Sequence, residues 1–167
     1  LLRIAQIEAG ARRENFAALD LSSVMRNVAE IYAEVAEDAG HVLRLAVAES
    51  TWIMGDRELL TQSFANLIEN AIRHSPPGSG ITCAVRVTPR QVTATISDTG
   101  PGIPEDERDK VLRRLYRLEK SRTTEGTGLG LALVKAVADL HGAELVLGDA
   151  EPGLRVDLNF RRIFGTK

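Results

Sequence analysis

Asn66-Leu67-Ile68-Glu69-Asn70-Ala71-Ile72-Arg73-His74 is the stretch on which the fold turns. Read at about 3.6 residues per turn, Gln62, Asn66, Glu69, Asn70 and Arg73 form one narrow polar stripe. Leu60, Phe64, Leu67, Ile68, Ala71 and Ile72 cover the opposite side, so the segment is an amphipathic helix with one face for a core. It begins at Gly55-Asp56, where a carboxylate suits the positive end of the helix dipole, and stops at Ser75-Pro76-Pro77-Gly78. A polar stripe ordinarily faces solvent. Two carboxamides one turn apart, with a basic residue on the next turn, are a more pointed mixture. Amide oxygens suit Mg²⁺, which keeps waters and borrows other ligands from a phosphate, and an arginine beside them could neutralise that phosphate.

On the N-terminal side, Leu1 to Ala9 reads as the end of a helix stopped by Gly10, followed by a polar connector from Ala11 to Leu19. A second helix is expected from Leu21 to Ala39, capped by Asp20 or Ser22, with Val24, Val28, Ile31, Tyr32 and Val35 as its apolar stripe. His41 to Glu49 alternates like a strand with one buried face, and Thr51 to Met54 is a short strand. On the C-terminal side, Ile81–Thr88 and Gln91–Ser97 form an antiparallel hairpin around Pro89-Arg90. A charged excursion from Pro104 to Glu125 leads to a helix over Leu131 to Leu140 that His141-Gly142 closes. Glu144–Leu147 and Leu154–Phe160 then close the chain as two strands around Glu151-Pro152-Gly153. This order predicts a two-layer α/β sandwich: a mixed, mostly antiparallel sheet of about five strands, covered on one face by about three helices.

Composition narrows the function. With 167 residues, 44% apolar and 26% charged, the chain is long enough for one domain with a substantial core. A net charge of −2 gives no reason to expect nucleic acid as a partner. The single cysteine, Cys83, excludes an internal disulfide, fits a reducing compartment and sits in a strand pattern as apolar filler. No apolar run approaches the roughly 18 residues of a membrane span. Because the sequence opens on Leu1-Leu2 in mid-helix, it is expected to be a piece of a longer protein.

Two glycine-rich stretches carry chemistry. In Asp98-Thr99-Gly100-Pro101-Gly102 a carboxylate ends a buried strand, where it can accept from an amino group such as that of adenine, and the glycines let backbone approach a flat ligand. The same letters also describe an ordinary turn. Gly126-Thr127-Gly128-Leu129-Gly130, opening a helix, fits phosphate held by backbone N–H groups, though it lacks the Gly-Lys-Ser/Thr of a P-loop and a Gly-rich hinge would read the same. Between them Arg117, Lys120 and Arg122 place positive charge on a loop of the length that lids have.

Asn66-x-x-x-Asn70, Asp98-x-Gly100-x-Gly102 and Gly126-Thr127-Gly128-Leu129-Gly130 follow one another in the order and spacing of a known family. The chain resembles the catalytic and ATP-binding domain of sensor histidine kinases, in the wider group (the Bergerat fold) that includes gyrase, the Hsp90 chaperones and MutL. Residues 1–12 look like the end of the dimerisation helix and a linker, and 13–167 like the catalytic and ATP-binding domain. The resemblance implies ATP and Mg²⁺ as cofactors, with Asn70 as the Mg²⁺ ligand, Asn66 beside the phosphates, and Arg73, with His74 next to it, as a phosphate contact. It implies that Asp98 reads adenine and that Gly100, Gly102 and Ile103 shape the pocket. Tyr116 packs on the base or anchors the lid, while Arg122, and after it Lys120, reach the terminal phosphate. Gly126, Thr127, Gly128, Leu129 and Gly130 close over the triphosphate. The catalytic set is then Asn66, Asn70, Arg73 and Arg122.

The implied partners are the phosphoacceptor helices of a homodimeric parent and the receiver domain of a response regulator. The implied location is cytoplasmic, with an inner-membrane anchor of the parent left open. In ATP-hydrolysing relatives a Glu stands where this chain has Asn66; an amide cannot take a proton from water, which favours transfer to a protein nucleophile. The chain departs from the pattern in its lid, where Val111, Leu112, Leu115 and Tyr116 replace the family's phenylalanine pair. No His is followed by an acidic residue, Leu, Arg, Thr and Pro, and His41, His74 and His141 stand in other contexts, so the chain is expected to lack its own phosphoacceptor. The alternatives are an anti-sigma-factor serine kinase, against which residues 1–10 argue, and a non-catalytic nucleotide- or partner-binding module.

Overall fold

The computed structural model describes residues 13–102, 105–107 and 129–163, the backbone alone at 129 and 130. In chain order the elements are β1 (Ala17–Asp20), α1 (Leu21–Asp38), β2 (Val42–Val47), β3 (Trp52–Gly55), α2 (Arg57–His74), β4 (Gly80–Val87) and β5 (Gln91–Asp98). They continue as α3 (Leu129–Leu140), β6 (Glu144–Asp149) and β7 (Leu154–Arg161). Five strands form one sheet in the order β2-β4-β5-β7-β6, with β2 parallel to β4 and the other pairs antiparallel. The expected two-layer α/β sandwich is the fold observed.

Strand parity sets the layers. Successive side chains of a strand point to opposite faces. In register, Cys83 lies opposite Ile96, Val85 opposite Ala94, and Ala94 and Ile96 opposite Leu158 and Val156 of β7. These residues are buried, together with Ile81, Val92 and Phe160. Against them pack Leu60, Phe64, Leu67, Ile68 and Ala71 of α2 and Val134, Val137 and Ala138 of α3. The alternate residues form a polar ladder on the other face: Thr93 Oγ1 donates to Asn159 Oδ1 at 2.7 Å and Thr95 Oγ1 to Asp157 Oδ1 at 2.6 Å. Cys83 belongs to the apolar side, and burial pushes its thiol up to about 12. It should therefore resist alkylation in the native protein and react only once the chain is unfolded, as thiol titration with and without denaturant would report.

Three expectations need correction. The connector from Ala11 to Leu19 contains a strand: β1 pairs antiparallel with β3, which therefore forms a separate two-stranded sheet. Buried Leu19 and Ile53 supply the reason that a polar reading of the connector missed. On α1, Val24 and Val28 are buried as expected, but Ile31 is 67% and Val35 48% exposed. Its seated face is set by Leu21, Met25 and Ala29, which pack on the sheet and α2. The cap of α1 also differs. Asp20 occupies the N-cap position, but its carboxylate accepts from the Thr51 hydroxyl and bonds no backbone N–H of the helix. Thr51 does the capping from outside, its carbonyl accepting from Leu21 N at 2.9 Å and its Oγ1 from Ser22 N at 2.9 Å. Among the described residues no helix is long and apolar enough to cross a membrane.

Candidate functional site

The parity that buries Val92, Ala94 and Ile96 puts Asp98 on the same face of β5, one step past the last core residue. Its carboxylate is thus directed to the helix layer and is only 8% exposed. Oδ1 accepts from Gly100 N at 2.8 Å and from Leu154 N at 3.4 Å, which fixes the group and orients Oδ2 as the second acceptor. The turn after it is fastened to the start of β4, where Thr99 N donates to Gly80 O at 3.1 Å and Gly80 N to Thr99 Oγ1 at 2.9 Å.

The foot of α2 meets this turn. Ser75, the residue after α2, is buried, and a Cβ placed on Gly100 would lie 2.8 Å from Ser75 Oγ and 3.1 Å from Asp98 Oδ1. Only glycine lets the two segments touch there. Gly102 (φ +75°) faces the carbonyl of Gly153, 2.9 Å from where its Cβ would be. Gly153 (φ +107°) lies directly on the backbone carbonyl of Asp98, where no Cβ fits. The β6–β7 turn is therefore part of the same floor. Gly153 and Leu154 are residues that the sequence reading left outside the site.

The rest of the stripe climbs α2. Asp56 caps the helix by accepting from Leu59 N at 3.1 Å. Asn66 and Asn70 are half-buried; Glu69, Arg73 and His74 are exposed. With a rise of 1.5 Å per residue, Asn70 stands roughly 7 Å and Asn66 roughly 13 Å along the axis from Ser75. Glu69 is turned toward α1, where its carboxylate hydrogen-bonds Tyr32; burial first, and then that charge, push the phenol above its ordinary value. Asn70, about 100° further round, lies on the opposite edge of the stripe. On its other flank α2 packs against α3. Of the residues expected in the site, Asp98 and Gly100 meet Ser75 at the foot of α2, Gly102 meets Gly153, and Asn66, Asn70, Arg73 and His74 lie along α2 itself. Leu129 and Gly130, expected in the loop, form the first turn of α3. Ile103, Tyr116, Lys120, Arg122, Gly126, Thr127 and Gly128 lie outside the described residues.

A two-layer sandwich with a buried strand-end carboxylate at the foot of an amide-bearing helix defines a class of α/β ligand-binding domain. Residues 55–162 match the family described as histidine kinase-, DNA gyrase B- and HSP90-like ATPase, and the chain belongs to that family. It is 36% identical over 139 residues to the sensor protein IrlS of Burkholderia pseudomallei, covering 82% of this chain and 29% of IrlS. It is 30% identical over 155 residues to the sensor-like histidine kinase SenX3 of Mycolicibacterium smegmatis, covering 92% and 40%. The chain thus spans less than half the length of these relatives. Among solved structures, the mycobacterial sensor histidine kinase MprB superposes with a TM-score of 0.73 at 28% identity, over 90% of this chain and 99% of that one. Full-length ShkA in complex with AMPPNP gives 0.76 at 27% identity, over 99% and 35%.

Proposed function

We propose that residues 13–167 bind Mg–ATP with the base at Asp98 and the phosphates along α2, and that the domain donates the γ-phosphoryl group to a histidine on the dimerisation helices of a homodimeric parent, of which residues 1–12 are the end. The buried carboxylate carries the reading. With Oδ1 held by two backbone N–H groups, Asp98 offers an acceptor to an amino group and has nothing to offer the carbonyl that guanine bears at the same position. The glycine contacts around it leave no room for an added side chain at Gly100, Gly102 or Gly153. From there a triphosphate running up the helix passes Asn70 and then Asn66.

The donor set fits Mg²⁺ of the kind that keeps waters and shares phosphate oxygens: one amide oxygen, Asn70, with no cluster of three His, Cys, Asp or Glu among the described residues. The metal, when bound, neutralises phosphate charge. Asn66 and Arg73 position and neutralise the same phosphates, and Arg122, with Lys120, does so from the lid. Gly126, Thr127, Gly128, Leu129 and Gly130 are assigned to the same phosphates, since a glycine-rich sequence ahead of a helix suits phosphate held by backbone N–H groups. Ile103 and Tyr116 cover the base. Asn66 cannot deprotonate water, so catalysis is positioning plus charge neutralisation, and the acceptor imidazole brings its own nucleophile. A response-regulator receiver domain takes the group next, on the cytoplasmic side.

Mixing the domain with labelled ATP and a separate helical hairpin of the parent that carries the histidine tests this. Acid-labile, base-stable label on the hairpin is the expected result; acid-stable label on serine, or nucleotide binding without transfer, overturns it. Asn70→Ala should abolish the Mg²⁺ dependence of triphosphate binding, a change of about tenfold or more in affinity measured with metal against chelator. Metal dependence that survives intact would move the ligand elsewhere.

A further inference from the structure

His141 directly follows α3, at the opposite end of that helix from Leu129 and Gly130, and its ring is where four segments meet. Its backbone N–H reaches Val137 O and Ala138 O at 3.1 Å, and Gly142 (φ +64°) then reverses the chain. Both ring nitrogens are engaged. Nδ1 lies 2.8 Å from the carbonyl of Val137, and Nε2 lies 3.1 Å from the backbone N of Asp56. A carbonyl only accepts and an amide N–H only donates, so Nδ1 carries the proton and Nε2 is bare. The ring is neutral and in one tautomer.

What the ring touches gives it a task. Gly55 exists as glycine on its account: a Cβ there would lie 2.9 Å from both Cδ2 and Nε2 of His141. The amide that Nε2 receives belongs to Asp56, whose side chain and carbonyl accept from Leu59 N and Leu60 N and start α2. On its other side the ring stacks on Phe16, centroids 4.5 Å apart and planes at 27°, with Phe160 edge-on at 6.0 Å. Phe16 immediately precedes β1, at the point where the chain from residues 1–12 enters the domain.

We propose that His141 is a positioning residue that couples the entering chain at Phe16 to the first turn of the helix bearing Asn66 and Asn70. This rests on the nucleotide reading only for its consequence, since the coupling itself concerns apo structure. Protonation at Nε2 would set an N–H against the N–H of Asp56 and break the joint. The charged groups facing the ring are Asp56, which favours the imidazolium, and Arg13, which opposes it; burial is the largest influence and holds the ring below its ordinary 6.5. A base depressed in the folded state contributes stability above its unfolded value and loses it as pH falls through the folded one. The joint is therefore complete at neutral pH and opens on the acid side of 6.5.

The test uses this 167-residue chain. In the wild type without nucleotide, the imidazole nitrogen spectrum should report the Nδ1–H tautomer, and the amides of Asp56 and Leu59 should lose exchange protection with the midpoint of His141. At neutral pH, Phe16→Ala should raise exchange at Leu59 and Leu60 and weaken Mg–ATP by about fivefold, and should do neither in a His141→Gln background, as coupled neighbours behave. His141→Gln should also remove the acid limb. Additive effects of the two substitutions, an Nε2–H tautomer, or an Asp56 amide indifferent to His141 titration would overturn the proposal. If His141→Gln does not fold, the wild-type titration decides alone. If the wild type binds no nucleotide, the assigned function fails while the exchange measurements still judge the joint.

Discussion

Asp98→Asn should lower the affinity for Mg–ATP by about two orders of magnitude while moving the Tm by only a few degrees. The two halves of this expectation have separate causes. The carboxylate's structural task is done by Oδ1, which holds Gly100 N at 2.8 Å and Leu154 N at 3.4 Å. An asparagine that keeps its carbonyl oxygen in that place satisfies both, so the turn survives. Its other end becomes an NH₂ group, which sets donor against donor where an adenine amino group would sit. The loss should therefore be selective: a purine carrying a carbonyl at that position should lose nothing and gain relative to adenine. Calorimetric titration with ATP and GTP on wild type and variant measures both. Equal loss for the two nucleotides, or none for either, would remove Asp98 from the base site.

Much of this was legible in one dimension because its parts are periodic or punctuated. Phe64, Leu67, Ile68 and Ala71 announce a core face at helical spacing, the alternation through Ile81–Val87 and Gln91–Ser97 announces a hairpin, and the same parity carries Asp98 to the helix side. Local rules stopped where a residue's partner is distant. Asp20 looks like the cap of α1 until the Thr51 hydroxyl is beside it. Ile31 and Val35 continue the stripe of α1 by spacing, yet the sheet and α2 cover only the neighbouring face. β1 is too short to show its own pattern and is a strand because Leu19 meets Ile53 across it. Ser75 reads as the residue that ends a helix, and His141 as one that closes another. Neither shows in sequence that it lies against Gly100 or Asp56.

Gly153 is the strongest case of that kind, and Gly153→Ala should cost about 3 kcal/mol or more, a fall in Tm of about 6–12 °C for a domain of this size. Two penalties combine. At φ +107° an L side chain is strained wherever it sits, and here its Cβ would also press on the backbone carbonyl of Asp98, which no rotamer can move aside. Gly78 separates the two. Its φ is +95° and nothing lies within 4 Å of where its Cβ would be, so Gly78→Ala carries the conformational strain alone, about 1–2 kcal/mol. The difference between the variants in thermal unfolding then isolates the clash. Relief of that clash requires the β6–β7 turn to withdraw, which takes Leu154 N from Asp98 Oδ1 and Gly153 O from Gly102. Gly153→Ala should consequently weaken ATP as well as the fold, while Gly78→Ala should spare the nucleotide. Equal stability losses in the two variants would mean that the turn yields without cost and that the Asp98 carboxylate is not held from that side.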